Sequence, residues 1–218
     1  MKITISAGLA GGMIALLLLM LPPATYWNAT FHDFGLRDDY ANLREAHEEP
    51  GKMVQFTASH ARPIYGWLLQ QSFGSINTIA ELAWLRLVGA MGLGLVAAAL
   101  FGVLLRVGWH RLAAGFAAAM VVLAPAAQIV AGWATAWPYP VAALLTLGGF
   151  ALATAEGQRH QWLRRTGAGF LVAASALIYQ PNSLLYLVGI AAALPMLRGR
   201  DLTHNLRWVG GHLAIVAT

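Results

Sequence analysis

Long apolar runs alternate with short polar turns along most of this chain. The lengths of these runs and their lack of charge predict membrane-spanning helices, because a helix needs roughly 20 apolar residues to cross a bilayer. Short clusters of arginine and pairs of proline mark the predicted helix ends. The predicted spans are seven, at 3–21, 82–105, 112–129, 141–154, 167–178, 184–197 and 209 onward.

The one long polar stretch lies between the first two apolar runs. Within it, Tyr40 to Glu49 is predicted to form a short helix that ends at Pro50-Gly51. A second short helix is predicted over Arg62 to Ser72, with Pro63 at its start and an apolar side suited to a membrane interface. The predicted fold class is therefore all-α, a polytopic transmembrane helical bundle with a long exterior first loop that contains short helices.

Three regions follow from this pattern. Residues 1–21 are predicted to be an N-terminal transmembrane anchor, which Pro22-Pro23 would end. Residues 22–81 form the exterior loop with the candidate site. Residues 82–218 form the transmembrane bundle, and the chain is expected to be truncated because Thr218 falls inside a predicted span.

Composition supports a membrane protein and excludes several other classes. Hydrophobic residues make up 58% of the chain and charged residues only 11%, too few for the polar shell of a soluble domain of this size. The net charge of +5 is spread over short clusters between apolar runs, which indicates membrane orientation and not a nucleic-acid partner. Cysteine is absent, so thiol chemistry and disulfides are excluded.

The distribution of basic residues predicts the orientation. Nine of the fourteen lie on the side of the N-terminus: Lys2, Arg106, Arg111, Arg159, Arg164, Arg165, Arg198, Arg200 and Arg207. By the positive-inside rule that side is cytoplasmic. The first loop then faces the periplasm, in a multi-pass protein expected in a bacterial inner membrane.

Two adjacent carboxylates, Asp38 and Asp39, are the leading candidates for chemistry. Neighbours on a helix point about 100° apart, so both can serve one site only at a helix start or turn. There one carboxylate can accept a proton while the other binds a donor, a hydroxyl or a cation. The alternative is a structural role, in which Asp38 or Asp39 caps the helix that begins at Tyr40.

Arginines and aromatic residues share the exterior side with the two aspartates. Arg37 and Arg62 can bind phosphate oxygens bidentately, and aromatic rings such as Tyr40 can cover the C–H faces of a sugar. Tyr179 and Gln180 lie at the end of a predicted span, where they could line a pocket beneath the loop. Trp133, Trp137 and Tyr139 are interpreted as an interfacial aromatic belt. No metal-binding motif is present, so no protein metal site is predicted, although the aspartates could share a divalent cation with a phosphate.

Together, these residues and their order along the chain resemble a known family. The exterior Arg37-Asp38-Asp39-Tyr40, the downstream Ala61-Arg62-Pro63 and the later Tyr179-Gln180-Pro181 are similar to the N-terminal half of GT-C-type glycosyltransferases, in particular the O-antigen glucosyltransferase group. The resemblance implies transfer of a sugar from a polyprenyl-phosphate donor to a glycan, lipid or protein hydroxyl at the exterior membrane face. It implies Asp38 or Asp39 as catalytic base, Arg62 as a phosphate contact and Gln180 as a pocket residue.

Two other functions fit parts of the sequence. A transporter of lipid-linked sugars would need polar groups at the membrane, but it should place ionisable residues inside its spans. The predicted helices between Gly89 and Leu197 carry none well inside them. A noncatalytic membrane assembly subunit would use the loop to bind a partner and the aspartates as helix caps.

Overall fold

The fold was analysed in a computed structural model that describes residues 7–155, 160–197 and 201–217. All regular structure in these ranges is helical, which confirms the all-α prediction. The α-helices are α1 (Ala7–Thr25), α2 (Trp27–Thr30), α3 (Arg37–Glu48), α4 (Lys52–Ser59), α5 (Pro63–Gly74), α6 (Leu82–Arg106), α7 (Arg111–Leu123), α8 (Pro125–Gly132), α9 (Tyr139–Ala153), α10 (Gln161–Ser183), α11 (Leu185–Ala193) and α12 (Leu202–Val216). Two 3₁₀ turns, Ala134–Ala136 and Leu194–Leu197, precede α9 and follow α11.

Three helical stretches are long and apolar enough to cross a membrane on their own. They are Gly8–Thr25, Leu82–Arg106 and Ala134–Ala153, with mean hydropathies of 1.7, 2.3 and 1.4. Two bent pairs add up to two further spans if each pair counts as one: α7 with α8, bent by 56°, and α10 with α11, bent by 73°. The described residues therefore contain three to five candidate spans.

The sequence predicts seven spans, and the described residues contain three to five candidates. The run at 184–197 was counted as a crossing of its own, but α11 has nine residues and is only about 13 Å long at 1.5 Å per residue. A bilayer core of about 30 Å needs roughly twice that length. Hydropathy alone marks apolar runs and does not show where a helix turns back.

The first helix passes through the two prolines that were expected to end it, since α1 continues to Thr25. Proline cannot donate the hydrogen bond to the carbonyl four residues earlier, so Pro23 leaves the carbonyl of Leu19 unpaired within α1. That carbonyl faces Gly94 on α6, and a side chain at Gly94 would collide with it. The proline and the glycine together allow the two helices to approach closely.

The segment between α1 and α6, residues 26–81, folds as a cap on one end of the bundle. The two predicted short helices are present, although α3 begins at Arg37, and the sequence did not predict α4. Residues from α3, α4 and α5 share a core with the bundle, in which Phe73 and Leu82 are fully buried. This segment is called the cap segment below.

A buried arginine ties the cap segment to the bundle. Arg86, in the second turn of α6, is completely buried and donates hydrogen bonds to the backbone carbonyls of Thr30, His32 and Phe34 at 2.8–3.0 Å. A guanidinium group presents five donors in a planar fork, so one side chain can hold three alternate carbonyls at the end of α2 and in the loop after it. This contact fixes the path of the chain just before α3.

Candidate functional site

A cavity of about 480 Å³ lies where the cap segment meets the bundle. Its walls come from α3, α4, α5 and the chain before α9. This is large enough for a small ligand, because ligand pockets typically measure about 300–1,000 Å³. The lining residues are Asp38, Ala41, Asn42, Glu45, Lys52, Met53, Phe56, Thr57, Arg62, Tyr65, Leu69, Trp133, Thr135 and Tyr139.

The two adjacent aspartates have different environments. Asp39 is fully buried, and its carboxylate accepts three hydrogen bonds. One oxygen accepts from the backbone N–H of Leu36 at 3.0 Å, and the other accepts from the backbone N–H and the hydroxyl of Thr135 at 3.0 and 2.9 Å. Asp39 therefore caps the N-terminus of α3 and joins it to the turn before α9, a structural role.

Asp38 is exposed and lines the cavity. No described residue forms a hydrogen bond or an ion pair with its carboxylate. Asp38 and Asp39 are adjacent in the first turn of α3, so their side chains point in different directions. With Asp39 turned into the protein, Asp38 points toward the cavity. Asp38 is thus the member of the pair that is free to act on a ligand.

Two cations line the cavity, but only one lacks a carboxylate partner. Lys52 pairs with Glu45 at 2.9 Å and with Glu49 at 3.1 Å, and its hydrogen bonds to these two carboxylates raise the pKa of the Lys52 ammonium. Arg62 forms no ion pair with a described residue, and its guanidinium lies 5.5 Å from the centre of the Tyr65 ring. An anionic ligand would therefore meet Arg62 first.

Stacked tyrosines form one side of the site. The ring centres of Tyr65 and Tyr139 are 5.7 Å apart, and those of Tyr139 and Tyr179 are 4.0 Å apart. The Tyr65 hydroxyl donates to the Thr135 carbonyl at 3.1 Å, and burial raises the pKa of this hydroxyl well above its ordinary value. Tyr65 therefore remains a neutral donor, while Tyr179 supports Tyr139 from behind without lining the cavity.

Gln180 holds the turn that presents Arg62. Its side-chain amide nitrogen donates to the carbonyls of His60 and Ala61 at 3.3 and 3.2 Å. Ala61 adopts a φ of 59°, in the left-handed region that costs about 1–2 kcal/mol for a residue with a side chain. The turn thus depends on external support, and Gln180 provides it from the end of α10.

Replacing Gln180 should loosen this turn. In Gln180→Leu, two carbonyls lose a donor, and we expect amide hydrogen exchange at 60–62 to accelerate about fivefold, which corresponds to about 1 kcal/mol. Hydrogen-exchange mass spectrometry measures this directly. Gln55→Leu, on the exposed side of α4, is the control and should leave the exchange unchanged. Unaltered exchange in Gln180→Leu would show that the turn does not need this amide.

Tyr40 was also predicted to be a site residue, but it does not line the cavity. Tyr40 is exposed, and its hydroxyl accepts a hydrogen bond from the Gly35 N–H at 3.2 Å. The backbone of Arg37 begins α3, but its side chain is outside the described part of the structure. No described group of three or more histidine or carboxylate side chains is arranged to hold a metal ion.

Sequence reasoning missed several lining residues. Asn42 and Thr135 are joined by a hydrogen bond of 2.9 Å across the site. Trp133 and Tyr139 were interpreted as an interfacial belt, yet both line the cavity. The signal available in the sequence was their position on the same predicted side of the membrane as Asp38. The Trp133 indole N–H is buried and has no hydrogen-bond partner among the described residues.

Comparison of the chain with protein-family models, curated proteins and solved structures gave no match. Over the described residues, the protein is all-helical with three to five candidate membrane spans, and its cavity contains one carboxylate and one guanidinium that have no ion-pair partner among those residues.

Proposed function

We propose that this chain is part of a multi-pass membrane glycosyltransferase that moves a sugar from a polyprenyl-phosphate donor to a hydroxyl of a glycan, lipid or protein acceptor. The cap segment faces the exterior, and Asp38 is the general base. The observation that carries the proposal is the difference between the two aspartates: Asp39 is buried and accepts three hydrogen bonds, whereas Asp38 lines the cavity without a partner among the described residues.

The outward surface of the bundle supports placement in a membrane. Large apolar side chains on its helices are exposed. The exposed fraction is 68% for Leu17 on α1, 70% for Phe116 on α7 and 73% for Phe170 on α10. Exposed apolar area of this kind is unfavourable in water, at about 25 cal/mol per Å². A bilayer removes this cost, because its hydrocarbon core surrounds the apolar residues on the outside of a helical bundle.

The proposed reaction uses the groups that the cavity brings together. Asp38 takes the proton of the acceptor hydroxyl as its oxygen attacks the anomeric carbon of the donor sugar. A new C–O bond forms, the bond from the anomeric carbon to the phosphate oxygen breaks, and the polyprenyl phosphate leaves with the electron pair. General-base assistance of this type typically contributes about 10²–10⁴-fold to the rate.

The remaining lining residues suit the two parts of the donor. Arg62 offers a planar pair of donors for phosphate oxygens. Trp133 and Tyr139 offer flat apolar surfaces for the sugar ring, and Asn42 offers an amide for its hydroxyl groups. The support of the Arg62 turn by Gln180 gives the end of α10 an indirect part in donor binding.

Donor binding tests the assignment of Arg62. We expect Arg62→Gln to raise the Kd for polyprenyl-phosphate glucose, or for the hexose derivative that binds best, by about tenfold or more, because a charge-assisted hydrogen bond contributes about 1.5–3 kcal/mol. The measurement is binding of the radiolabelled donor to the full chain in detergent. Unlabelled polyprenyl phosphate should compete, since it carries the group that Arg62 recognises.

The matched control is Arg44→Gln. Arg44 lies on α3 but is exposed and forms a loose pair with Glu48 at 4.0 Å, which contributes little. Its replacement should not alter the Kd. If both variants bind the donor like the wild type, or if the wild type binds none of the donors, the site is not a polyprenyl-phosphate site and a noncatalytic assembly role becomes the better explanation.

A further inference from the structure

A second cavity lies far from the candidate site, between α10 and α12. It is an open groove of about 470 Å³, and its lining includes Arg165, Thr166, Phe170, Ala173, Gly211 and Ala214. Arg165 is in the second turn of α10, whereas Gln180 lies near the other end of that helix. The two residues are fifteen positions apart, which corresponds to about 22 Å along a helix. The groove and the site of Asp38 are therefore at opposite ends of the bundle.

One end of this groove is cationic. The guanidinium of Arg165 lies against α12 at Gly211, where a β-carbon would be 3.4 Å from its Nη2. That distance is an ordinary van der Waals contact, so the guanidinium packs directly beside the backbone of Gly211. Neither Arg165 nor the neighbouring Thr166 has a hydrogen-bond or ion-pair partner among the described residues. The groove thus presents a positive charge and a hydroxyl that no described residue engages.

The rest of the groove is apolar. From Arg165 to Ala173 the wall runs for about 12 Å along α10, past Gly169 and Phe170, with Ala214 on the opposite helix. The one titratable side chain of α12 close to this wall is His212, which is buried and shares a hydrogen bond of 2.8 Å with the Tyr186 hydroxyl. No described acidic residue lines the groove, so nothing in its lining neutralises Arg165.

We propose that this groove binds an anionic phospholipid of the bilayer. The phosphate contacts Arg165 and the hydroxyl of Thr166, and one acyl chain lies along Phe170 and Ala173. The positive charge of Arg165 favours an anionic headgroup. The apolar wall is open along the side of the bundle, so an acyl chain can enter it from the membrane. The inference rests on the proposed membrane placement but not on sugar transfer, because the two sites are at opposite ends of the bundle.

Lipid binding to the full chain tests this site. Native mass spectrometry would be used to compare dioleoyl phosphatidylglycerol with dioleoyl phosphatidylcholine on the wild type, Arg165→Gln and Arg164→Gln. We expect the wild type to prefer phosphatidylglycerol, and Arg165→Gln to bind it about tenfold more weakly with no change for phosphatidylcholine. Arg164→Gln is the matched control: it removes the same charge from the adjacent residue, whose side chain donates to the Ala155 carbonyl at 2.7 Å and does not line the groove.

A second variant keeps the charge and blocks the acyl site. Ala173→Phe fills the apolar part of the groove and should weaken binding of phosphatidylglycerol, so it decides the question if Arg165→Gln does not purify in folded form. Equal binding of phosphatidylglycerol by the wild type and Arg165→Gln, equal losses in Arg164→Gln and Arg165→Gln, or no effect of Ala173→Phe would each overturn the proposal. Sugar transfer is not measured, so failure of the glycosyltransferase proposal leaves this result interpretable.

Discussion

Replacing Asp38 with asparagine is expected to reduce sugar transfer by about 10²–10⁴-fold while leaving the folded protein intact. Asparagine has nearly the same shape but cannot accept the proton of the acceptor hydroxyl, so the general-base contribution is lost. Stability should be unchanged because Asp38 is exposed and no described residue is bonded to its carboxylate. The chemical effect is therefore separable from folding.

The measurement is release of polyprenyl phosphate from a polyprenyl-phosphate sugar by the full chain in proteoliposomes. The melting temperature is determined on the same samples. Glu48→Gln is the matched control, because it removes a carboxylate from the exposed side of the same helix, outside the cavity. Wild-type rates in Asp38→Asn would exclude this residue as the base. A parallel fall in rate and melting temperature would show that Asp38 acts through the fold.

Replacing Asp39 with alanine is expected to reduce stability and activity together. The variant leaves the half-buried backbone N–H of Leu36 and the buried backbone N–H of Thr135 without an acceptor. The loss of a buried, fully bonded carboxylate costs about 3–5 kcal/mol. For a chain of this size, that corresponds to a fall in melting temperature of roughly 6–20 °C. The start of α3 would also be released, and Asp38 would be displaced with it.

Thermal unfolding of the variants in detergent measures this effect. Asp33→Ala is the control, since Asp33 is an exposed aspartate of the same cap segment, and it should change the melting temperature by little. Thr135→Val removes one of the three donors to Asp39 and should produce a partial loss. The double variant Asp39→Ala/Thr135→Val should then be less destabilised than the sum of its parts. Additive losses would indicate that the two residues do not act together.

These two variants separate the alternatives that the sequence left open. A general base and a helix cap are both common roles for an acid in the first turn of a helix, and adjacent aspartates satisfy both patterns equally. The structure assigns the cap to Asp39 because its carboxylate accepts the N–H of Leu36 at the start of α3, and Thr135, 96 residues later, supplies its other two donors. The base assignment for Asp38 stays a prediction until sugar transfer is measured.

The tertiary structure also changes the interpretation of the predicted binding residues. Arg62 lines the cavity, as a phosphate contact must, whereas Gln180 supports the turn before it and Tyr179 supports Tyr139. Lys52 was not predicted to be a site residue, yet it lines the cavity, where it forms ion pairs with Glu45 and Glu49. Which charges pair with one another depends on how α3, α4 and α5 pack, and no local pattern in the sequence contains that information.

By itself, the sequence determined the helical class, the apolar runs and the position of the short helices α3 and α5, because hydrophobic periodicity and the stop signals at Pro50-Gly51 and Pro63 act over a few residues. Only the tertiary structure decided how many runs are long enough to cross a membrane, and which aspartate is buried. The number of spans depends on where the helices bend, and the burial of Asp39 depends on a contact between distant parts of the chain, its hydrogen bonds with Thr135. Burial and hydrogen bonding give two chemically identical neighbours different environments, and that difference arises only when the chain is folded.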